Sequence, residues 1–215
     1  MRNPLSSDAQ SLSDLPVGSS SRLITVKIDS ADPATASSAI LELKEKHNIA
    51  AIDVAIANAG ISEDGYPIHS TPLSVLEKHM SVNAYGPIAF FQAAYPLLLA
   101  SANPKFIGVS SMLASIGKIE DLAIYKESAY GMSKAVLNYL VRRVHAEIEG
   151  IVAVALDPGF VQTDMGNSGA KRVGMEKAWY TVDESINHLV KEIERASRKT
   201  TSGKFIAYGG EEFPW

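Results

Sequence analysis

The amino-acid sequence predicts an α/β fold in which helices cover both faces of a mainly parallel sheet. Short runs of apolar and β-branched residues alternate with longer segments of helical periodicity along the chain. Most of these short runs are almost continuously apolar, which is typical of strands buried on both faces. The 215 residues contain no repeat or linker, so we expect one domain spanning 1–215.

The predicted strands alternate with helices in chain order. The strands are predicted at 23–29, 52–57, 105–111, 151–156 and 205–208. The helices are predicted at 33–48, 73–85, 87–100 and 130–149, with a last one from a cap at Asp183 to about 198. Asp32 and Pro33 are a typical helix start, and Gly86-Pro87 predicts a break between two helices. Residues 112–127 and 160–180 are predicted to be loops.

The composition excludes several classes of function. The chain has no cysteine, which rules out disulfides and thiolate catalysis. A net charge of −4 argues against nucleic-acid or anionic-membrane partners. The longest apolar run, 88–100, contains Gln92 and Pro96 and is too short to span a bilayer. The five histidines lack ligand spacing, so no metal site is expected, and with no signal-peptide pattern at the start we predict a cytoplasmic protein.

Polar residues follow several predicted strands at the point where each strand ends. They are Asp29, Asn58, Ser110, Ser111 and Asp157. Ligands of parallel α/β sheets bind outside the carboxyl ends of the strands. The sequence therefore predicts a ligand site along this edge of the sheet.

Tyr130 and Lys134 stand four residues apart at the start of a predicted helix, so both side chains lie on one face. An ammonium beside a phenol favours the phenolate and lowers a tyrosine pKa from its usual value of about 10, which suits acid/base chemistry. The spacing is common by chance, and the alternative is a helix face with a solvated lysine.

These residues stand in an order that resembles the short-chain dehydrogenase/reductase family. The matching motifs are Asp29, Asn58-Ala59-Gly60, Asn83 within 81–86, Val109-Ser110-Ser111, Tyr130-x-x-x-Lys134 and 157–163. The segments 57–61 and 209–215 most resemble fungal ketoreductases of the norsolorinic acid reductase kind. The resemblance implies a Rossmann-like doubly wound parallel sheet that lacks the first two family strands.

The resemblance also implies a role for each motif residue. Tyr130 would be the proton donor to a ketone, Ser111 would bind the carbonyl oxygen, and Asn83 would anchor a water leading to Lys134. Lys134 would also hold the nicotinamide ribose. Residues implied to bind the cofactor are Asp29 (adenine), Asn58 (adenine ribose), Tyr130, Lys134, Val161 and Thr163 (nicotinamide carboxamide). The structural alternatives are a cap or turn at Asp29, Asn58, Asn83 and Thr163, and Ser110 rather than Ser111 as the functional serine.

The glycine-rich strand-turn-helix that opens the family's sequences, and holds the cofactor pyrophosphate, does not occur in this sequence. Three explanations are open: an N-terminally incomplete record of an ordinary enzyme, a relative that pairs 23–29 directly with 52–57, or an inactive remnant. We therefore expect this chain to bind NADPH poorly or not at all. A micromolar dissociation constant for NADPH would contradict this expectation. Arg2 resembles the family's arginine for the 2′-phosphate and favours NADP, although NAD is not excluded.

The implied activity is NADP-dependent interconversion of a ketone and a secondary alcohol, on an aromatic polyketide or another secondary metabolite. The alternative function is that of a catalytically inactive homologue acting as a binding or regulatory protein, or a non-functional fragment. Epimerase or dehydratase chemistry is a third reading, disfavoured because only about 80 residues follow Lys134. We expect a small carbonyl or alcohol substrate, a lid at 160–180 ending in Trp179 and Tyr180, and a homodimer or homotetramer through the helices at 87–100 and 130–149.

Overall fold

A four-stranded parallel sheet forms the centre of the protein. The structure, a computed structural model, describes residues 3, 11–63 and 65–215. The strands are β1 (Val54–Ala57), β2 (Lys105–Val109), β3 (Val152–Leu156) and β4 (Lys204–Ile206), in the order β1-β2-β3-β4. The helices are α1 (Ala34–His47), α2 (Leu73–Met80), α3 (Gly86–Leu99), α4 (Ile119–Leu122), α5 (Ser128–Glu147), α6 (Asp164–Arg172) and α7 (Val182–Arg195). The predicted α/β class with a parallel sheet is confirmed.

Successive residues of the strands point to two separate cores because side chains alternate across a sheet. Phe106 and Phe205 pack with residues of α1, α3 and α5 on one face. Ile107 and Val154 pack on the other face, against Leu189 and Ile193 of α7. Ala196, which follows α7, belongs to the same core. The sheet is therefore covered on both faces, which explains the near-continuous apolar character of β2 and β3.

The predicted strand at 23–29 is wrong, and so is its direct pairing with 52–57. Residues 21–29 have no regular secondary structure, and β1 is bonded only to β2 within the described part of the chain. An extended segment becomes a strand only when a neighbouring strand takes its backbone hydrogen bonds. Among the residues that the structure describes, no strand of the sheet pairs with 23–29.

The predicted break at Gly86-Pro87 is also wrong. The chain passes from α2 through a π-helical turn, Ser81–Tyr85, directly into α3. Pro87 follows this π-helical turn, and the backbone stays helical on both sides of the proline. Gly86 has no side chain because a Cβ there would lie 2.7 Å from Ser30.

Three smaller corrections concern loops and caps. The predicted loop at 160–180 contains α6, which Thr163 caps by accepting a hydrogen bond from the Gly166 N–H. The predicted loop at 112–127 contains α4 and two 3₁₀ turns. The last helix is capped by Thr181 rather than Asp183, through a reciprocal capping box with Glu184. Within the described residues, no helix is long and apolar enough to cross a membrane.

Candidate active site

A cavity of about 620 Å³ lies over the carboxyl ends of β1, β2 and β3. Its walls are formed by the turn after β1, the loop after β2, the first turn of α5, the segment after β3, α6 and one side of α7. Six of the predicted residues line it: Asn58, Ser111, Tyr130, Lys134, Val161 and Thr163. The edge of the sheet that the sequence indicated is therefore the place where these side chains meet.

The two serines after β2 have different surroundings. Ser110 is buried, and its hydroxyl donates to Asn138 Oδ1 of α5 at 2.6 Å. Ser111 is half-buried, and its hydroxyl accepts a hydrogen bond from the Leu113 N–H at 3.3 Å. This contact leaves the Ser111 hydroxyl hydrogen available to a ligand, whereas Ser110 ties the strand end to α5.

Lys134 is enclosed by protein although it carries a charge. Its side chain is almost fully buried, and Nζ donates to the Val109 carbonyl oxygen at 2.7 Å. Nζ also lies 5.9 Å from the centroid of the Tyr130 ring. Burial lowers the pKa of Lys134 to about 8, because the desolvated ammonium loses hydration. At neutral pH the group is still mostly charged, and it faces the Tyr130 ring.

Asn83 lies in the π-helical turn, and its amide joins three segments. Its Nδ2 donates to the Ile61 carbonyl oxygen at 2.9 Å and to Ser133 Oγ at 3.0 Å, and its Oδ1 accepts from the Ile61 N–H at 2.8 Å. Ser133 Oγ donates in turn to the Tyr130 carbonyl oxygen at 2.8 Å. The amide thus fixes the turn after β1 against the first turn of α5. A π-helical turn in this position is a frequent feature of functional sites.

Gly60 lies so close to the Asn83 and Lys134 side chains that a residue without a side chain is favoured at this position. A Cβ at Gly60 would lie 3.3 Å from both Asn83 Oδ1 and Lys134 Nζ. A side chain here would push against Lys134, which lines the cavity, and against the buried amide of Asn83. The glycine therefore serves close approach at the site, in addition to the turn that its residue type suggests.

Asp157, at the end of β3, is a buried carboxyl group beside Ser111. Its Oδ1 accepts from the Met112 N–H at 3.3 Å, and further backbone hydrogen bonds come from Gly159 and Tyr208. Burial raises the pKa of Asp157 to about 6, although the hydrogen bonds act in the opposite direction. The carboxyl group holds the backbone that follows Ser111.

Asp29 is the predicted cofactor residue that does not line the cavity. Its Oδ1 accepts from the Ala31 N–H at 3.0 Å, and its main chain exchanges hydrogen bonds with the Thr35 hydroxyl. The side chain therefore already serves the turn into α1. Arg2 lies outside the described residues.

The sequence analysis missed a polar cluster on the opposite wall of the cavity. Glu127, just before α5, forms an ion pair with Arg172 at the end of α6 and accepts a hydrogen bond from the Ser62 hydroxyl at 2.6 Å. The three residues are 45 to 110 positions apart, so no local pattern indicates the contact. The cluster holds α6 over the cavity.

Comparisons with known proteins agree with this geometry. A family profile described as enoyl-(acyl carrier protein) reductase matches residues 6–196. The norsolorinic acid ketoreductase nor1 of Dothistroma septosporum is 38% identical over 98% of this chain and 80% of its own length. The norsolorinic acid ketoreductase stcE of Emericella nidulans is 38% identical over 97% of this chain and 80% of its own length. The NADPH-bound carbonyl reductase from chicken fatty liver superposes with a TM-score of 0.85 at 30% identity, covering 100% of this chain and 85% of that chain.

The parallel sheet and the cavity at its carboxyl edge define a Rossmann-type α/β oxidoreductase fold. With the profile and relatives above, the chain belongs to the short-chain dehydrogenase/reductase family.

Proposed function

We propose that this protein is an NADP-dependent ketoreductase that interconverts a ketone and a secondary alcohol. The observation that carries the proposal is the convergence of Ser111, Tyr130 and Lys134 on one cavity. An aromatic polyketide or a related secondary metabolite is the proposed substrate class, supported by the names of the two ketoreductase relatives. NADP is proposed over NAD because the similar carbonyl reductase structure is NADPH-bound.

The residues of this chain fit the adenine ribose and the nicotinamide end of such a cofactor. Asn58 is exposed to the cavity, and Val161 and Thr163 line it on the far side. Lys134 brings a buried ammonium to the same wall, which suits a ribose hydroxyl or a nearby phosphate charge. We propose that these residues hold the cofactor together with Tyr130, and that Asp29 contacts the adenine.

Each proposed catalytic group has one task. Bound NADPH would supply the hydride, and the protein would supply position and electrostatics. The Tyr130 hydroxyl donates a proton to the ketone oxygen, or accepts it in the reverse direction. Ser111 donates a hydrogen bond to the same oxygen and stabilises the charge that develops there. Lys134 stabilises the phenolate of Tyr130 that remains after proton donation, and Asn83 keeps the turn after β1 against α5.

The lid, the oligomer and the location remain proposals. We propose that α6 and the segment to Tyr180 form a lid over the substrate. The ion pair between Glu127 and Arg172 connects α6 to the residue before α5. The Trp179 ring packs edge-on against the Phe160 ring, with 5.5 Å between the ring centroids. A homodimer or homotetramer through α3 and α5, in the cytoplasm, is proposed from the family resemblance.

The direct test is an assay of the purified chain with NADPH and a panel of ketones. NADPH is supplied up to millimolar concentration because the sequence lacks the glycine-rich pyrophosphate loop. We expect consumption of NADPH with polyhydroxylated aromatic ketones, faster than with NADH. Binding of NADPH or of the ketones without turnover would instead support the inactive binding protein.

A further inference from the structure

The loop that carries Ser111, residues 111–117, is held at its far end by the C-terminal residues of the chain. Ser115 is buried, and its hydroxyl donates to the Pro214 carbonyl oxygen at 2.6 Å. Two residues later, the Gly117 N–H donates to the Trp215 carbonyl oxygen at 2.7 Å. A Cβ at Gly117 would lie 3.1 Å from the Pro214 Cβ, so the two backbones lie against each other.

The C-terminal segment is in turn fixed to the sheet. The Phe213 N–H donates to the Phe205 carbonyl oxygen of β4 at 2.7 Å. The Phe205 ring is fully buried. It contacts the Phe213 ring edge-on, with 5.5 Å between the ring centroids, and it stacks with the Trp215 ring at a centroid distance of 5.8 Å. Residues 213–215 therefore connect a rigid part of the core to the loop after β2.

The near end of the loop has its own supports, all of which lie inside the site. Asp157 accepts the Met112 N–H, and the Leu113 N–H donates to Ser111 Oγ. A Cβ at Gly131 would lie 2.7 Å from the Leu113 carbonyl oxygen, so α5 presses directly on the loop. Ser111 stands at one end of the loop, residues 214–215 contact its other end, and the short 3₁₀ turn Met112–Ala114 lies between them.

We propose that Pro214 and Trp215 are positioning residues for Ser111 in the reaction of the proposed function. Neither residue lines the cavity. They hold the loop so that the Ser111 hydroxyl meets the carbonyl oxygen when charge develops. This inference rests on the proposed ketoreductase function, because Ser111 has this task only there. Small misplacements of a catalytic donor reduce turnover strongly, so the effect should appear in kcat.

The test compares Trp215→Ala with Tyr95→Ala. Tyr95 is a matched control because both rings are partly buried and pack against the same core cluster, whereas Tyr95 lies on α3 away from the loop. We expect Trp215→Ala to lower kcat about tenfold with the NADPH KM nearly unchanged. Trp215→Phe, which keeps a ring against Phe205, should recover most of the activity. Tyr95→Ala should leave kcat within about twofold, since the Tyr95 ring packs against Phe91 of the same helix and not against the loop.

A double-mutant cycle decides whether the effect passes through Ser111. In the Ser111→Ala background, Trp215→Ala should lower the residual kcat no further, because the donor being positioned is already gone. A full tenfold loss in that background, or an unchanged kcat in the single variant, overturns the proposal. If Trp215→Ala does not fold, Ser115→Ala removes the hydrogen bond to Pro214 and takes its place with the same expectation.

Hydrogen exchange separates failure of this inference from failure of the proposed function. A wild-type chain without turnover overturns the proposed function and the catalytic task of the loop together. Faster exchange of the Ser115 and Gly117 amides in Trp215→Ala than in Tyr95→Ala is expected whether or not turnover occurs. Equal exchange in the two variants shows that the C-terminal residues do not hold the loop.

Discussion

The centre of the sheet and its β1 edge are built from similar apolar residues but differ in how completely they are enclosed. All residues of β2 and β3 are buried. In β1, Ala55 and Ala57 are buried, whereas Val54 and Ile56 are 40% and 43% exposed. The central strands have a neighbouring strand on each side and are covered on both faces, whereas β1 has, among the described residues, one neighbouring strand and one buried face.

The candidate site is divided in the same way, between residues held by the centre of the sheet and residues near the β1 edge. Ser111 and Asp157 follow the central strands β2 and β3. Tyr130 and Lys134 lie on α5, which packs on those two strands. Asn58 follows the edge strand, and Asp29 ends a segment without regular structure. The proposed proton-transfer groups are thus fixed by a complete core, while the proposed adenine side depends on the less enclosed edge.

The largest effect is expected at the centre, from Tyr130→Phe. Removing the proposed general acid should lower kcat about 10²- to 10⁴-fold with little change in stability. Tyr139→Phe is the matched control, because Tyr139 lies on the same helix and is 65% exposed. Ketone-dependent NADPH consumption is the measurement. Full activity in Tyr130→Phe would mean that the central region does not carry the chemistry.

Stability should differ sharply between the two regions. Phe106 of β2 is fully buried and packs edge-on against Phe91 at 4.8 Å, so Phe106→Ala should cost about 3–5 kcal/mol. Val54→Ala on the half-open edge should cost less than about 1 kcal/mol. Urea unfolding of both variants gives the two values. Similar losses at both positions would show that the edge strand is enclosed in solution.

Asp157 should make the stability of the centre depend on pH. Its pKa is raised from the ordinary 3.8 to about 6, so the folded state holds the proton more tightly than the unfolded state. Its contribution to stability is therefore present in full below about pH 4 and is lost as the pH rises through about 6. Asp157→Asn should gain about 3 kcal/mol relative to wild type at pH 8, and almost nothing at pH 4.

The measurement is urea unfolding across this pH range, with Asp53→Asn as the control for loss of an exposed carboxylate beside β1. A stability difference between Asp157→Asn and wild type that does not vary with pH contradicts a raised pKa of the buried Asp157 carboxyl group.

The smallest effects are expected at the edge. Asn58→Ala should weaken NADPH binding about three- to tenfold, which is typical of losing one hydrogen bond to a ligand. Asp29→Ala should have a smaller effect, because the carboxylate is already used by the turn into α1. Fluorescence titration with NADPH measures both. A larger effect at Asp29 than at Lys134→Met would reverse the order proposed for the two regions.

Much of the fold could be predicted because the signals are local. Alternation of apolar runs and helical segments located β1 to β4 within a few residues, and the Tyr130–Lys134 spacing placed both side chains on one helix face. The strand predicted at 23–29 failed because strand formation depends on a neighbour, which no local pattern shows. The break predicted at Gly86 failed because a π-helical turn, 81–85, carries the chain into α3 without leaving helical geometry, and residue types alone do not indicate such a turn.

The fold class, the family resemblance and most of the polar residues at the strand ends could be predicted from the amino-acid sequence, because each depends on local patterns. Residue type does not distinguish the two serines, and the tertiary structure does: the Ser110 hydroxyl is buried and donates to Asn138, whereas the Ser111 hydroxyl is half-buried and only accepts from the Leu113 N–H. The tertiary structure also shows that the Asp29 carboxylate bonds to the turn before α1 and that Glu127 pairs with Arg172. It further shows that residues 214 and 215 contact the loop after Ser111. These contacts join segments far apart in the chain, and their geometry exists only once both core faces of the sheet are packed.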